Sequence, residues 1–206
     1  MERMEGVCVR DCTQCAELVD ARSRIVNGVG PAEADLLFVG EGPGATEDER
    51  GQPFVGRSGS VLDAALEAAG VDREAVRITN CVRCRPPDNR DPTSEELANC
   101  RGFLDREIEL VEPALVVTLG KVPSEHLLER SVAITTESGS VVDVRLGGRS
   151  RRVLLSMHPA ATLYDRSQRE GFFETIASAV GLAGLTAADG DDGDGGGDGQ
   201  SRLGEF

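Results

Sequence analysis

Four short apolar runs recur along the chain, at residues 35–40 (DLLFVG), 76–80 (VRITN), 114–120 (ALVVTLG) and 152–157 (RVLLSM). Each is rich in Val, Ile and Leu without strict alternation, the pattern of strands buried on both faces of a parallel sheet. Between them the apolar spacing turns helical. Residues 58–69 (SGSVLDAALEAA) open on Ser and stop before Gly70, and residues 93–111 begin TSEE, a capping box, and stop before Pro113. Shorter helical patterns cover 123–130 and 168–180. This alternation predicts an α/β fold. The expected form is a three-layer α/β/α sandwich around a central, mainly parallel four-stranded sheet with right-handed crossovers.

In such sheets ligands bind beyond the carboxyl ends of the strands. Three chemically loaded segments fall there: GEGPG after the first strand, TNCVRCRPP from the second and MHPAATLY after the fourth. The first continues as GEGPGATEDERGQPFVGRSG, residues 40–59. A Gly-rich turn at the end of a strand ordinarily cradles phosphate through backbone N–H groups and a positive helix end. Here Glu41, Glu47, Asp48 and Glu49 would repel one, and Pro43 removes a donor. Gly40, Gly42 and Gly44 alternate, so the dinucleotide fingerprint fails as well. The turn handles something other than a nucleotide's phosphate. Asp48 and Glu49 read as a solvated face.

Composition changes the picture in two places. The 206 residues carry a formal charge of −14, and 21 of the 22 basic residues are Arg, Lys121 being the exception. Residues 189–206 hold −5 of that charge, mostly in the low-complexity stretch ADGDDGDGGGDG at 188–199, which leaves −9 for the rest. The expected organisation is a folded domain over 1–186 and a disordered acidic tail over 187–206. An acid-rich, Lys-poor surface is expected of a protein kept soluble in a very salty, halophilic cytosol. No run of 18 apolar residues and no signal-peptide pattern is present, so a soluble, cytoplasmic monomer with no membrane contact is expected.

Six Cys in such a setting point to metal, cluster or thiol chemistry rather than disulfides. The pairs Cys12/Cys15 and Cys81/Cys84 would make a four-thiolate zinc site by spacing alone. A second solution takes Cys12, Cys15, Cys84 and Cys100, and four thiolates suit zinc or an iron–sulfur cluster equally. Cys8 reads as a buried thiol without a metal.

Together, GEGPGATEDERGQPFVGRSG, ITNCVRCRPPDNRDPTSEELANC and MHPAATL, in that order, resemble the family 4 (type A) uracil-DNA glycosylases, which carry a [4Fe–4S] cluster. The resemblance runs from Cys12 to about Leu163. It implies hydrolysis of the N-glycosidic bond of a flipped-out deoxyuridine in single- or double-stranded DNA, releasing uracil and leaving an abasic site in base excision repair. It places the cluster on Cys12, Cys15, Cys84 and Cys100 and makes Cys81, where the family usually has an aliphatic residue, a decoy. The backbone of Gly40, Glu41 and Gly42 then lines the uracil pocket, with Gly42 standing where the family often has Ala and Met157 where it often has an aromatic. Phe54 supplies a stacking face. The Asn80 amide matches uracil O4 and N3–H and mispairs with cytosine. His158 donates to O2 as charge builds on the leaving base. Glu41 and Glu47 are the carboxylates that stabilise the cationic sugar, which accounts for the acidic turn. Their jobs stay undivided, one being a candidate to position the attacking water and Glu47 a candidate to crowd C5 and exclude thymine's methyl.

Three further expectations concern DNA and partners. Arg57, Arg83, Arg85, Arg90 and Arg166 flank the motifs and are candidates for phosphate contacts. Leu163 is the first candidate for a wedge in the base stack, with Thr162 and Tyr164 as alternatives. The chain ends QSRLGEF, in which Gln200, Leu203 and Phe206 match the spacing of peptides that plug into sliding clamps. Two other classes stay open on sequence grounds: an iron–sulfur electron-transfer protein, and a zinc-stapled nucleic-acid-binding module without catalysis.

Overall fold

Residues 36–40 are buried at every position, and so are those of the two strands beside them, which sets the architecture. The computed structural model describes residues 7–185; the expected tail over 187–206, with Gln200, Leu203 and Phe206, lies outside the described residues. Strands β1 (Leu36–Gly40), β2 (Arg77–Asn80), β3 (Leu115–Leu119), β4 (Val141–Leu146) and β5 (Arg149–Ser156) form one sheet in the order β2-β1-β3-β5-β4. The first three and β5 run parallel, and β4 pairs antiparallel with β5.

Helices cover both faces. On one, α3 (Arg57–Ala68) and α8 (Gln168–Leu182) bury Leu62, Leu66, Phe172 and Ile176 against Leu36, Phe38, Ile78 and Val117. On the other, α4 (Ser94–Val111) and α5 (Lys121–Leu128) bury Leu104, Ile108 and Leu127 against Leu37, Val39, Val116 and Leu155. Alternate residues of β1 and β3 thus feed two cores, the reason each strand reads as a continuous apolar run. The capping box of α4 is present, with Glu96 N–H donating to Thr93 Oγ1 at 3.2 Å and Thr93 N–H to Glu96 Oε2 at 2.8 Å.

The sheet has five strands rather than four. The added strand β4 alternates exposed and half-buried residues at the sheet edge, and Gly147 and Gly148, both at positive φ, make the hairpin turn into β5. That Gly–Gly pair is the local signal for the hairpin. Four short helices also go beyond the expectation: α1 (Ala16–Ala21), α2 (Ala45–Arg50), α6 (Ile134–Glu137) and α7 (Ala161–Tyr164). Helix α5 starts at Lys121, because Pro123 sits in its first turn, where a missing N–H leaves no intrahelical bond unmade.

The segment before β1 is tied to the sheet by a buried ionic cluster. Glu107 of α4, fully buried, accepts from Arg77 Nε at 2.7 Å and Arg83 Nη2 at 2.8 Å. Arg77 also donates to the carbonyls of Gly30 and Gly28, and Arg83 to Asn27 Oδ1. Removing one member of such a cluster strands the others without water and costs about 3–5 kcal/mol. The cluster holds residues 27–30 against β2 and so fixes where the cysteines upstream of them can lie.

Candidate active site

Gly40 at the end of β1 and Asn80 at the end of β2 are register partners, so the two motifs begin side by side. The ladder continues past the strands, with Cys81 N–H donating to Gly40 O at 2.8 Å and Val82 N–H to Glu41 O at 3.0 Å. The backbone carrying Glu41 is therefore fixed by β2. Above this edge lies a cleft of about 250 Å³, lined among others by Glu41, Gly42, Glu47, Phe54, Ser58 and His158. Three segments distant in sequence meet there, from the ends of β1, β2 and β5.

Two glycines make room for Phe54. A Cβ on Gly40 would collide with the Phe54 ring edge and with Asn80 Oδ1, and a Cβ on Gly59 would collide with the Phe54 carbonyl. Phe54 itself holds a left-handed backbone, φ 52°, which a bulky residue rarely adopts. Glu47 pins the turn that follows, its Oε1 accepting from Val55 N–H at 3.0 Å and Gly56 N–H at 2.8 Å. The ring thus packs on the core while bordering the cleft, 5.8 Å from the His158 ring and tilted 34° to it.

Asn80 is 3 % exposed, and its Oδ1 is buried with no hydrogen-bond partner. An orphaned buried acceptor is unfavourable unless something else completes it. His158 is held in one protonation state. Its Nδ1 accepts from Ala160 N–H at 3.1 Å, so the ring proton sits on Nε2. Burial pushes its pKa down to about 4 against the opposing pull of Glu47, so the imidazole is neutral near pH 7. Glu41 moves the other way: burial, reinforced by Asp91, raises its carboxyl to about 7. A Cβ on Gly42 would meet Val82 Cγ2 at 2.8 Å, so the glycine is matched to its neighbour.

The cysteines divide. Cys12, Cys15, Cys84 and Cys100 line one small cavity together with Leu18, Arg22 and Asn99. Cys81 is in the hydrophobic core beside Val39 and Leu104, where burial pushes its thiol well up. Cys8 is exposed rather than buried, because the chain alternates there and Val7 and Val9 on either side of it turn inward. Arg22 Nη1 donates to Cys84 Sγ at 2.9 Å and its Nη2 to Cys12 O at 2.6 Å, while Asn99 Nδ2 reaches Cys15 Sγ at 3.4 Å. Burial raises the Cys84 and Cys100 thiols, the latter to about 11, against the opposing pull of Arg22 on Cys84 and of the Arg83 N–H on Cys100. Among the described residues no three His, Cys, Asp or Glu side chains are grouped to hold one metal ion.

Several side chains depart from their expected places. Asp48 is 3 % exposed rather than solvated, its carboxylate bound to the N–H groups of Ser23 and Arg24. Nothing in TEDER distinguishes it from Glu49, which is exposed. Arg83 is buried against Glu107 and cannot reach phosphate. Arg90 lines the cleft, but its guanidinium is bound by Glu96 and Glu17. Arg57 and Arg166 are exposed, and Arg85 donates to Asn89 Oδ1. Arg22 lies in no motif, and Asn99, although it directly precedes Cys100, carries no spacing signal that pairs its amide with Cys15.

An aromatic ring and a neutral imidazole line the cleft beside an acidic turn, and the unpaired amide oxygen of Asn80 lies buried next to the Phe54 ring edge, behind the Gly40 backbone. The family model of the uracil DNA glycosylase superfamily matches residues 27–180, and the chain belongs to that superfamily. It is 37 % identical over 198 residues to a type-4 uracil-DNA glycosylase of Archaeoglobus fulgidus, covering 92 % of this chain and 99 % of that one. A type-4 uracil-DNA glycosylase of Thermotoga maritima is 42 % identical over 160 residues, covering 77 % and 81 %. A type-5 uracil-DNA glycosylase of Thermus thermophilus is 35 % identical over 184 residues, covering 79 % and 82 %.

Proposed function

We propose that this protein is a uracil-DNA glycosylase that hydrolyses the N-glycosidic bond of an extruded deoxyuridine and leaves an abasic site for base excision repair. The observation that carries the proposal is the Asn80 amide. Its buried Oδ1 lacks a partner beside the Phe54 ring, as an acceptor reserved for a base N–H would. Uracil stacked on Phe54 offers N3–H to Oδ1 and takes Nδ2–H at O4. Cytosine offers an acceptor at N3 and a donor at N4, so both contacts turn repulsive.

The remaining groups act on charge. As the C1′–N1 bond breaks, its electron pair passes to the base and negative charge gathers at O2. The Nε2–H of His158 donates there, and the low pKa keeps the imidazole a neutral hydrogen-bond donor that holds its proton on Nε2. The sugar becomes electron-poor, and the carboxylates of Glu41 and Glu47 stabilise it. Water then adds to C1′ and gives its proton to Glu41, whose raised pKa suits a general base near neutrality. Glu47, with one oxygen committed to Val55 and Gly56, keeps the Phe54 turn in place.

We assign Cys12, Cys15, Cys84 and Cys100 to a [4Fe–4S] cluster. The four thiols share one cavity, with Arg22 donating to the Cys84 sulfur and Asn99 reaching that of Cys15, which supports the four-cysteine set that the family resemblance implies. When bound, the cluster would cross-link the segment leading into α1, the loop after β2 and α4. DNA is the substrate, with Arg57 and Arg166 as exposed phosphate contacts. Among the described residues no helix is long and apolar enough to cross a membrane. A cytosolic monomer belongs to the same proposal and rests on the family reading, not on that absence. The terminal Gln200, Leu203 and Phe206 are assigned to a sliding clamp; unchanged clamp binding after deletion of 200–206 would remove that assignment.

The deciding experiment is uracil release from dU-containing single-stranded DNA by the purified, iron-loaded protein. Release is expected; intact oligonucleotide would overturn the reading and favour an electron-transfer role.

A further inference from the structure

We propose that Tyr164 is the side chain that enters the base stack when a nucleotide leaves a duplex for the cleft, an inference that rests on the glycosylase reading above. Tyr164 is the single tyrosine of the chain and is 88 % exposed. Leu182 and Val141, the other large apolar side chains at the described surface, are less than half as exposed. A nearly free aromatic ring is unusual, because such rings are ordinarily drawn into the core or onto a partner.

Its neighbours are occupied. Thr162 is 4 % exposed, and its hydroxyl donates to Pro159 O at 2.9 Å. Leu163, the aliphatic residue of the motif, is turned inward and packs against the core cluster that contains Phe38 and Leu62. Only Tyr164 projects from this turn, six residues after His158.

The turn is stiff. Ala161 N–H donates to His158 O at 2.9 Å, Leu163 N–H to Ala160 O at 3.0 Å, and Asp165 N–H to Ala161 O at 2.9 Å. Asp165 then accepts from Ser167 N–H and from Gln168 Nε2, fixing the exit into α8. The ring therefore stands on a platform hydrogen-bonded to the same residue that donates to the leaving base. It can enter DNA without giving up any packing of its own. Extruding a nucleotide leaves two bases facing an empty step, and a ring stacked there restores contact on both sides. A single strand has no such step to hold open, so the contribution is specific to duplex.

The full-length, iron-loaded protein and its Tyr164→Ala and Tyr164→Phe variants are compared on one dU oligonucleotide, single-stranded and paired opposite G. Tyr164→Ala is expected to lose about 5- to 100-fold in kcat/KM on the duplex and to stay within about twofold on the single strand. Tyr164→Phe retains duplex activity. Because the ring is exposed, the unfolding midpoint of each variant stays at the wild-type value. The chain has no Trp, so its tyrosine emission reports Tyr164 alone and is expected to be quenched on binding an abasic-site duplex. Equal losses on both substrates, an undiminished duplex rate or unquenched emission would overturn the proposal by itself. Wild-type protein that released no uracil from either substrate would instead sink the glycosylase reading, and this proposal with it.

Discussion

Both carboxylate oxygens of Asp48 accept the backbone N–H of Ser23, each at 2.9 Å. Ser23 follows Arg22, which donates to Cys84 Sγ, and Asp48 follows Glu47, which lines the cleft. One buried carboxylate thus joins the cysteine-bearing segment to the acidic helix of the active site. Replacing it leaves a buried N–H unpaired, a loss of about 1–3 kcal/mol. Asp48→Ala is therefore expected to lower the denaturation midpoint and to release iron to a chelator faster than wild type. Asp48→Asn, which keeps one acceptor, should fall between them. Wild-type iron retention in Asp48→Ala would show that the two regions are not joined this way.

Removing the reader of the base should separate activity from stability. Asn80 Oδ1 bonds to nothing in the protein, so Asn80→Ala is expected to unfold within about 1 kcal/mol of wild type. Uracil release should fall by about 100- to 10,000-fold, because the substrate's buried polar edge would lose both partners. A small kinetic loss would mean that the amide does not face the base.

The pH profile should have one limb near neutrality. Glu41 must be ionised to accept a proton, so kcat rises with pH up to about 7 and then levels. His158, neutral above about 4, adds no limb there. The stability linkages run in opposite directions. The raised Glu41 pKa makes its contribution to stability fall as pH rises from its ordinary value toward about 7, so Glu41→Gln should be more stable than wild type at pH 8. The depressed His158 pKa gives a contribution present above about 6.5 and lost as pH falls toward 4. A rate independent of pH between 5 and 8 would remove Glu41 as the base.

Iron content distinguishes the two cysteine solutions. Cys12→Ala, Cys15→Ala, Cys84→Ala and Cys100→Ala are each expected to lose iron and the broad visible absorbance of an iron–sulfur cluster. Cys81→Ala should keep both, at a packing loss of about 1 kcal/mol in the core. The reverse result for Cys81 and Cys100 would overturn the assignment.

Salt tests the charge argument. A chain with a formal charge of −14 repels itself, so the thermal midpoint should rise between dilute buffer and molar KCl. With Arg83 buried and Arg90 bound by two carboxylates, only Arg57, Arg85 and Arg166 of the five motif-flanking arginines are left to release counterions from DNA. The slope of log K against log salt should accordingly be shallow, about −1 to −3. Unfolding in concentrated KCl, or a steep slope, would count against this picture.

The buried runs of β1, β2, β3 and β5 were legible because a strand covered on both faces must be apolar at nearly every position. The capping box of α4 was legible because its two bonds join residues three apart. Edge strand β4 was not, since its half-exposed alternation with Asp143 and Arg145 looks like a surface loop, although Gly147–Gly148 marked the turn. The main residues of the cleft stood in motifs, and their order along the chain pointed to one sheet edge.

Local composition and spacing, read along the chain, thus determined the α/β alternation and the three motifs, while the expectation for Cys84 and Cys100 came from the family resemblance alone. Tertiary structure alone decided which charges are free and which are spoken for. Asp48 and Glu49, or Leu163 and Tyr164, are adjacent and alike in what sequence reports about them, yet one of each pair is drawn inward and the other left outside. Burial and partner depend on which distant backbone N–H or core side chain folding brings near, and spacing within a motif carries no record of that.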